Sequence, residues 1–272
     1  MSSLSEELTK YAAVVITGGS SGIGKSFIGT IAKLHPGAVI CNLSRGVPDI
    51  NISQLNLRHV PCDLADSEAI GPAVGEVLTL LEKYAPQGPV LLINNSGFGS
   101  YGRFAEVNLE KHLGMIDVNV RAVVELTARL LPTLRERGGA VITVASTAAF
   151  QPTPYLATYG ATKAFVLHWS LALNEELRGT NVRTLALCPG PTSTAFFRRA
   201  GLKQGAVSDS LGQTCEQVID EALRALAKGR PMVVSGWKNK VMAAVSSKLP
   251  KPFITSLSAK ILGKYRLKQV AR

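Results

Sequence analysis

Short apolar runs alternate with helical patterns along most of this chain, and this alternation limits the folds that it can adopt. Strands that are apolar at consecutive positions suit a parallel sheet with helices on both faces. We expect such strands at residues 13–17, 38–43, 59–62, 90–93, 140–145, 182–187 and 232–234. Helical patterns fill most of the intervals, at residues 23–34, 67–84, 109–134, 159–177 and 215–228. Repeated βαβ units therefore predict an α/β fold with a doubly wound parallel sheet.

The composition excludes several classes of protein. With 46% hydrophobic residues the chain can build a substantial core, which argues against disorder. No stretch has the ~18 apolar residues that a membrane-spanning helix needs, and the N-terminus lacks the pattern of a signal peptide. The four cysteines are scattered singly. This argues against a disulfide framework or a Cys-rich metal site, so we expect a cytoplasmic protein without a metal.

The basic charge is concentrated at the C-terminal end. The formal net charge is +11, and twelve Lys or Arg follow the last acidic residue, Glu221. Residues 1–221 carry 18 basic and 19 acidic side chains. A nearly neutral body with a basic tail argues against a nucleic-acid-binding domain and indicates a partner for the tail. We therefore expect one domain over residues 1–235 and an extension over residues 236–272.

A glycine-rich loop follows the first expected strand and fits two motifs. One is the P-loop pattern GxxxxGKS, which begins at Gly19. The other is TGxxxGxG, a dinucleotide-binding variant of the Rossmann turn, which begins at Thr17. A P-loop enzyme needs an acidic residue at a strand end to hold magnesium. Only Asp63 stands at such a position, after a weak strand, and we therefore favour the dinucleotide motif over a P-loop phosphotransferase.

A second group of residues carries the chemistry. Tyr159 and Lys163 are four residues apart and share one helical face, while Ser146 follows the fifth expected strand and Asn119 lies in the preceding helix. Together with TGxxxGIG, the NNSG segment at 94–97 and Pro189-Gly190, they occur in the order and spacing of the short-chain dehydrogenase/reductase family. The resemblance covers about residues 10–235 and implies a Rossmann fold with oxidoreductase activity.

The residue types suit hydride-transfer chemistry. A free phenol has a pKa near ~10, and an ammonium beside it lowers that pKa. We expect Lys163 to do this for Tyr159, which would exchange a proton with the carbonyl or alcohol oxygen of a small-molecule substrate. Ser146 would orient that oxygen. By resemblance to the family, Lys163 would also bind the nicotinamide ribose and Asn119 would hold a water that links Lys163 to solvent.

The resemblance also implies the residues that hold a nicotinamide cofactor. Thr192 and Thr194 match the positions that grip the carboxamide, and Asp63 matches the acid beside the adenine. The full set of expected cofactor-binding residues is Thr17, Gly18, Ser20, Ser21, Gly22, Ile23, Gly24, Ser44, Arg45, Asp63, Leu64, Asn95, Ser96, Gly97, Tyr159, Lys163, Pro189, Gly190, Thr192 and Thr194.

The end of the second expected strand predicts the choice of cofactor. NAD-specific members of the family usually have an Asp there, but this chain has Ser44 followed by Arg45. A guanidinium suits a 2′-phosphate, so we predict NADP(H). Lys25 is a second candidate for this contact. Residues 45–63 are short for a helical crossover and contain Gly46 and Pro48, so we expect this connection to be irregular.

Aromatic residues follow the fourth and sixth expected strands. Phe98, Tyr101, Phe196 and Phe197 suggest an apolar pocket for a hydrophobic ketone or aldehyde, although packing of a lid would use the same residues. An NADP(H)-binding sensor with little turnover is an alternative on this fold, but the complete set of Asn, Ser, Tyr and Lys argues against it.

The extension contains two basic amphipathic segments. Trp237, Val241, Val245 and Leu249 form one apolar stripe, and Ile254, Leu257, Ile261 and Tyr265 form a second, with Arg266 and Lys268 among the flanking basic residues. Such segments suit peripheral contact with anionic lipid headgroups. Packing on the enzyme's own surface, packing on a second subunit of a homo-oligomer and a partly disordered tail are alternatives that the sequence leaves open.

Overall fold

A computed structural model describes residues 2–50, 56–194, 196, 200–201 and 212–264. Within these residues the strands are β1 (Ala13–Thr17), β2 (Val39–Ser44), β3 (Leu57–Pro61), β4 (Val90–Asn94), β5 (Gly139–Val144), β6 (Val182–Cys188) and β7 (Met232–Val234). They form one parallel sheet in the order β3-β2-β1-β4-β5-β6-β7. The predicted doubly wound sheet is confirmed.

The helices of the described chain cover both faces of the sheet. They are α1 (Ser2–Leu8), α2 (Gly22–Leu34), α3 (Ser67–Tyr84), α4 (Leu109–Ile116), α5 (Ala122–Arg137), α6 (Ala157–Glu176), α7 (Cys215–Ala227), α8 (Trp237–Lys248) and α9 (Lys251–Gly263). Successive side chains of a strand point to opposite faces. In β1, Val14 packs with α1, α2 and α7, whereas Val15 packs with α3 and α5. The strands therefore carry apolar side chains on both faces of the sheet.

Most element boundaries lie within two residues of the expected ones, and β1, β7 and α3 agree with them fully. The expected single helix at 109–134 is wrong in one respect. A π-helical turn, Asp117–Arg121, separates α4 from α5. A π turn inserts an extra residue into the helical register, and the periodicity of the apolar positions does not reveal it.

Helix α1 is an element that the sequence analysis missed. Leu4 and Leu8 are buried against the core, and the buried Glu7 accepts hydrogen bonds from the Tyr11 hydroxyl at 2.9 Å and the Arg183 guanidinium at 3.0 Å. Burial and the neighbouring Glu7 carboxylate raise the pKa of the Tyr11 phenol. These contacts attach the N-terminus to β6, far along the chain.

The connection from β2 to β3 is irregular, as expected. Its described residues, 45–50 and 56, contain no helix. Where it begins, the Ser44 hydroxyl donates a hydrogen bond to the Gly46 carbonyl at 2.8 Å.

The described helices include none that is long and apolar enough to cross a membrane.

The C-terminal extension forms α8 and α9, which are separated at Pro250. Trp237, Val241 and Val245 of the expected apolar stripe of α8 are exposed. Helix α8 buries Asn239, Ala243 and Ser246 instead. These side chains are small and let the helix pack closely against the body. A Cβ placed on Gly190 would lie 2.1 Å from the Asn239 amide nitrogen. Tyr265, Arg266 and Lys268 of the expected second stripe lie outside the described residues.

Candidate active site

The carboxyl ends of the strands open onto a cavity of about 1340 Å³ at the point where the strand order reverses, between β1 and β4. Doubly wound sheets bind ligands at this position. The expected site residues that line the cavity are Gly18, Ser20, Ser21, Gly22, Ile23, Ser44, Arg45, Asp63, Leu64, Asn95, Ser96, Gly97, Ser146, Tyr159, Lys163, Pro189, Gly190, Thr192 and Thr194.

Three expected site residues lie behind the cavity wall. The Thr17 hydroxyl accepts hydrogen bonds from the backbone N–H groups of Asn95 at 3.0 Å and Ser96 at 2.9 Å, and it joins the ends of β1 and β4. A Cβ placed on Gly24 would lie 2.3 Å from the Gly18 carbonyl oxygen. Asn119 is the third and is fully buried. These residues shape the cavity rather than line it.

The glycine-rich loop has the geometry of an anion cradle. Gly18 and Gly22 have φ angles of +69° and +55°, which disfavour residues with a Cβ. Lys25 makes the first backbone hydrogen bond of α2, to the Ser21 carbonyl at 3.2 Å. The N–H groups of Gly22, Ile23 and Gly24 have no acceptor within the helix, and such groups at a helix N-terminus can bind a phosphate. A dinucleotide pyrophosphate fits this loop.

Asn42 holds the loop, and the sequence analysis gave it no role. Its side-chain oxygen accepts a hydrogen bond from the Gly19 N–H at 2.8 Å, and its side-chain nitrogen donates to the Ser44 hydroxyl at 2.8 Å. A Cβ on Gly19 would lie 2.4 Å from the Asn42 oxygen. The available signal was an amide inside an apolar strand, because a buried amide needs partners.

Ser146, Tyr159 and Lys163 meet where β5 ends and α6 begins. Ser146 caps the short helical turn Thr147–Phe150 and accepts a hydrogen bond from the Ala148 N–H at 3.1 Å. Tyr159 is buried in the first turn of α6, and its phenol is hydrogen-bonded with Ser146. The Lys163 ammonium donates to the Val144 carbonyl at 2.7 Å and lies 6.0 Å from the centre of the Tyr159 ring.

The pKa of Tyr159 differs from the expectation. Burial raises it to about 12, and the hydrogen bond with Ser146 opposes this only in part. Burial also lowers the pKa of Lys163 to about 8. The expected lowering of the Tyr159 pKa by Lys163 is therefore wrong for the protein without a ligand. Loss of water dominates the pKa of the phenol, and the Lys163 ammonium is directed at the Val144 carbonyl.

Asn119 lies in the π turn, and its hydrogen bonds hold the part of the cavity wall next to Lys163. Its side-chain nitrogen donates to the Phe98 carbonyl and the Thr162 hydroxyl, both at 3.0 Å, and its oxygen accepts from the Phe98 N–H at 3.1 Å. A Cβ on Gly97 would lie 3.1 Å from both the Asn119 oxygen and the Lys163 nitrogen. The expected role of Asn119 in holding a water stays a prediction.

The adenine end of the cavity carries exposed charge. Arg45 lies 3.9 Å from the Asp63 carboxylate, and both side chains reach into solvent. Lys25 lies 3.9 Å from Asp49 and borders a separate, smaller cleft. Of the two basic residues that were expected to contact the 2′-phosphate, Arg45 is therefore the one that lines the main cavity.

The substrate end is apolar. Phe98 and Phe196 line the cavity, and the rings of Phe196 and Tyr159 lie 5.2 Å apart. Tyr101 instead packs on Tyr155, and its hydroxyl donates to the Leu262 carbonyl of α9. Phe197 lies outside the described residues. The sequence analysis missed the residues of the extension that line this end, which include Met242, Val245, Leu249, Ile254, Leu257, Ile261 and Leu262.

The chain resembles known proteins over most of its length. The short chain dehydrogenase family matches residues 12–205. A serine 3-dehydrogenase of Rhizobium radiobacter is 32% identical over 73% of this chain and 79% of its own. A very-long-chain 3-oxoacyl-CoA reductase of Mycosarcoma maydis is 27% identical over 92% of this chain and 73% of its own.

Solved structures share the fold. A short chain dehydrogenase from Burkholderia cenocepacia in complex with NADP superposes with a TM-score of 0.72 at 22% identity, over 93% of this chain and 98% of the other. Fold, motif order and sequence similarity agree, and the chain belongs to the short-chain dehydrogenase/reductase family.

Proposed function

We propose that the protein is an NADPH-dependent reductase of apolar ketones or aldehydes. The observation that carries this proposal is the meeting of Ser146, Tyr159 and Lys163 in the wall of a cavity that also contains the glycine-rich loop. A proton donor, a group that orients the substrate oxygen and a cation lie together at one end of this cavity. The same cavity reaches Arg45, so it extends from the catalytic residues to the expected adenine end.

Tyr159 is the proton donor. Because its pKa is raised to about 12, the phenol carries its proton at neutral pH and can transfer it to a carbonyl oxygen. Ser146 holds that oxygen by a hydrogen bond. The nicotinamide cofactor, when bound, supplies the hydride. Lys163, with a pKa lowered to about 8, remains largely protonated at neutral pH, so a positive charge lies in the cavity wall one helical turn from the phenol.

Arg45 supports NADPH over NADH. Its guanidinium lines the adenine end of the cavity, and the pair with Asp63 is long and exposed. An exposed pair of this kind contributes little energy, so Arg45 is available to a 2′-phosphate. The fold by itself does not select the cofactor, because similar structures are complexes with NADP and with NAD.

The lining of the cavity supports an apolar substrate. Phe98 and Phe196 from the body and Leu249 and Ile254 from the extension surround the end next to Tyr159. Burial of these surfaces against a hydrocarbon chain is favourable at roughly 25 cal/mol per Å². The long-chain acyl substrate in the name of the Mycosarcoma maydis relative agrees with this chemistry.

Binding and turnover assays test the proposal. We expect NADPH to bind more tightly than NADH by fluorescence titration. We also expect NADPH oxidation with long-chain ketones or 3-oxoacyl thioesters to exceed that with short polar carbonyls. Tight NADPH binding without turnover across the panel would instead identify a nucleotide sensor. Equal binding of both cofactors would show that Arg45 does not recognise the phosphate.

A further inference from the structure

Helices α8 and α9 present their large apolar side chains to solvent. Trp237 is 71% exposed and Phe253 is 58% exposed. We call the whole group the outer apolar face; it consists of Trp237, Val241, Met242, Val245, Phe253, Leu257 and Ile261, all of which are exposed. Apolar patches on the surface of a soluble domain mark sites of interaction.

The charge around this face selects the kind of partner. The two helices carry five exposed lysines, Lys238, Lys240, Lys248, Lys251 and Lys260, and the exposed Lys264 caps the end of α9. Acidic residues are absent from the sequence after Glu221, which pairs with Lys240 at 2.8 Å. Two copies of this face would bring lysines toward lysines, which is unfavourable. Anionic phospholipid headgroups complement the lysines, and the acyl region accepts the apolar side chains.

The outer apolar face continues into the cavity. Met242 and Val245 of α8 and Leu257 and Ile261 of α9 are exposed and also line the cavity. We call these four residues the rim. Contacts on both sides of the rim attach the two helices to the body. Asn239 packs on Gly190, and the Leu262 carbonyl accepts the hydrogen bond from Tyr101. The rim is therefore a route from the outer face to Tyr159.

We propose that the outer apolar face docks on an anionic phospholipid surface, and that an apolar substrate enters the cavity from the lipid through the rim between α8 and α9. The docking rests on the exposed side chains and the lysines alone. The entry route rests, in addition, on the proposed carbonyl reduction. Because the entry route requires the docking, the docking is tested first.

Sedimentation with vesicles tests the docking. The full chain pellets with phosphatidylcholine vesicles that contain phosphatidylglycerol and much less with phosphatidylcholine alone. This binding weakens as salt rises, because the Debye length is only ~10 Å at 0.1 M. The variant Trp237→Ser/Phe253→Ser binds at least ~10-fold more weakly, since each aromatic side chain loses its burial in lipid. The variant Lys260→Gln/Lys264→Gln binds roughly 25-fold more weakly.

Matched controls make the result specific. Leu113→Ser removes an exposed apolar residue of α4, and Lys33→Gln/Lys228→Gln removes two charges from the ends of α2 and α7, at the opposite edge of the sheet. Both controls keep vesicle binding. Full-length protein that stays in the supernatant at low salt, or controls that lose as much binding as the test variants, would overturn the docking.

Kinetics with two forms of substrate test the entry route. We expect Trp237→Ser/Phe253→Ser to reduce a vesicle-borne long-chain ketone at least ~10-fold more slowly than wild type, with unchanged turnover of a water-soluble carbonyl. Equal rates on the vesicle-borne ketone would show that the route is wrong. If wild type binds vesicles normally but turns over neither substrate, the proposed carbonyl reduction is wrong. If sedimentation velocity gives the variant half the mass of wild type, the outer apolar face binds a second copy of the chain.

Discussion

The side chain of Asn42 and the backbone of Gly19 form a 2.8 Å hydrogen bond that connects β2 to the glycine-rich loop. We expect Asn42→Ala to destabilise the fold by about 1–3 kcal/mol, because the Gly19 N–H loses its buried acceptor. NADPH binding should also weaken, since the loop loses its support. Urea unfolding and NADPH titration measure the two effects.

Asn94→Ala is the matched control for this prediction. Asn94 is also a buried amide in a strand, but its side-chain nitrogen donates to Thr127 on α5 and not to the loop. It should lower stability without a comparable change in NADPH affinity. Equal losses of affinity in the two variants would show that Asn42 acts only through global stability.

Tyr159→Phe tests the proton donor. The change removes the phenolic hydroxyl and keeps the ring that packs on Phe196. We expect kcat for carbonyl reduction to fall by at least ~10²-fold, as for loss of a positioned general acid, with NADPH affinity retained. Tyr155→Phe, on a tyrosine that packs on Tyr101, serves as control. Near-normal turnover of Tyr159→Phe would refute the assignment.

Arg45→Ala tests cofactor recognition. Only NADPH carries the 2′-phosphate, so NADPH affinity should fall by about 10–150-fold, the equivalent of a charge-assisted contact of ~1.5–3 kcal/mol. NADH affinity should change little and acts as the internal control. Parallel titrations of the variant with both cofactors check the difference. Equal losses would place the 2′-phosphate elsewhere.

The buried Lys163 predicts a dependence of stability on pH. Its pKa is lowered from 10.5 to about 8 by burial, so between those values the unfolded chain binds more protons than the folded one. Stability from this group therefore rises with pH across this window. Below pH 8 the buried ammonium lowers the free energy of unfolding of wild type by on the order of 3 kcal/mol.

Comparison with Lys163→Met isolates this effect. The free energy of unfolding of wild type, minus that of the variant, should rise between pH 8 and pH 10.5. The subtraction removes buried groups that do not interact with Lys163, such as Cys41 with its pKa raised to about 12, because both proteins contain them. Urea unfolding across this range measures the difference. A constant difference would contradict the lowered pKa.

The sequence by itself determined the architecture and the spacing of the candidate catalytic residues. Consecutive apolar residues such as 13–17 predict a strand with both faces buried, and the order of strands and helices predicts a doubly wound sheet. The four-residue spacing of Tyr159 and Lys163 places them on one helical face wherever that helix lies. These features depend on local periodicity and spacing, which are encoded within short segments.

The tertiary structure decided what depends on contacts between distant segments. Trp237 and Val241 of α8 face solvent because Asn239 packs on Gly190, a contact that crosses 49 positions of the chain. Asn42 supports the glycine-rich loop only because β2 lies beside β1. The pKa of Tyr159 is raised because surrounding elements exclude water from it. Burial, electrostatics and the orientation of a helix face are properties of the packed molecule, and no short segment of the sequence contains them.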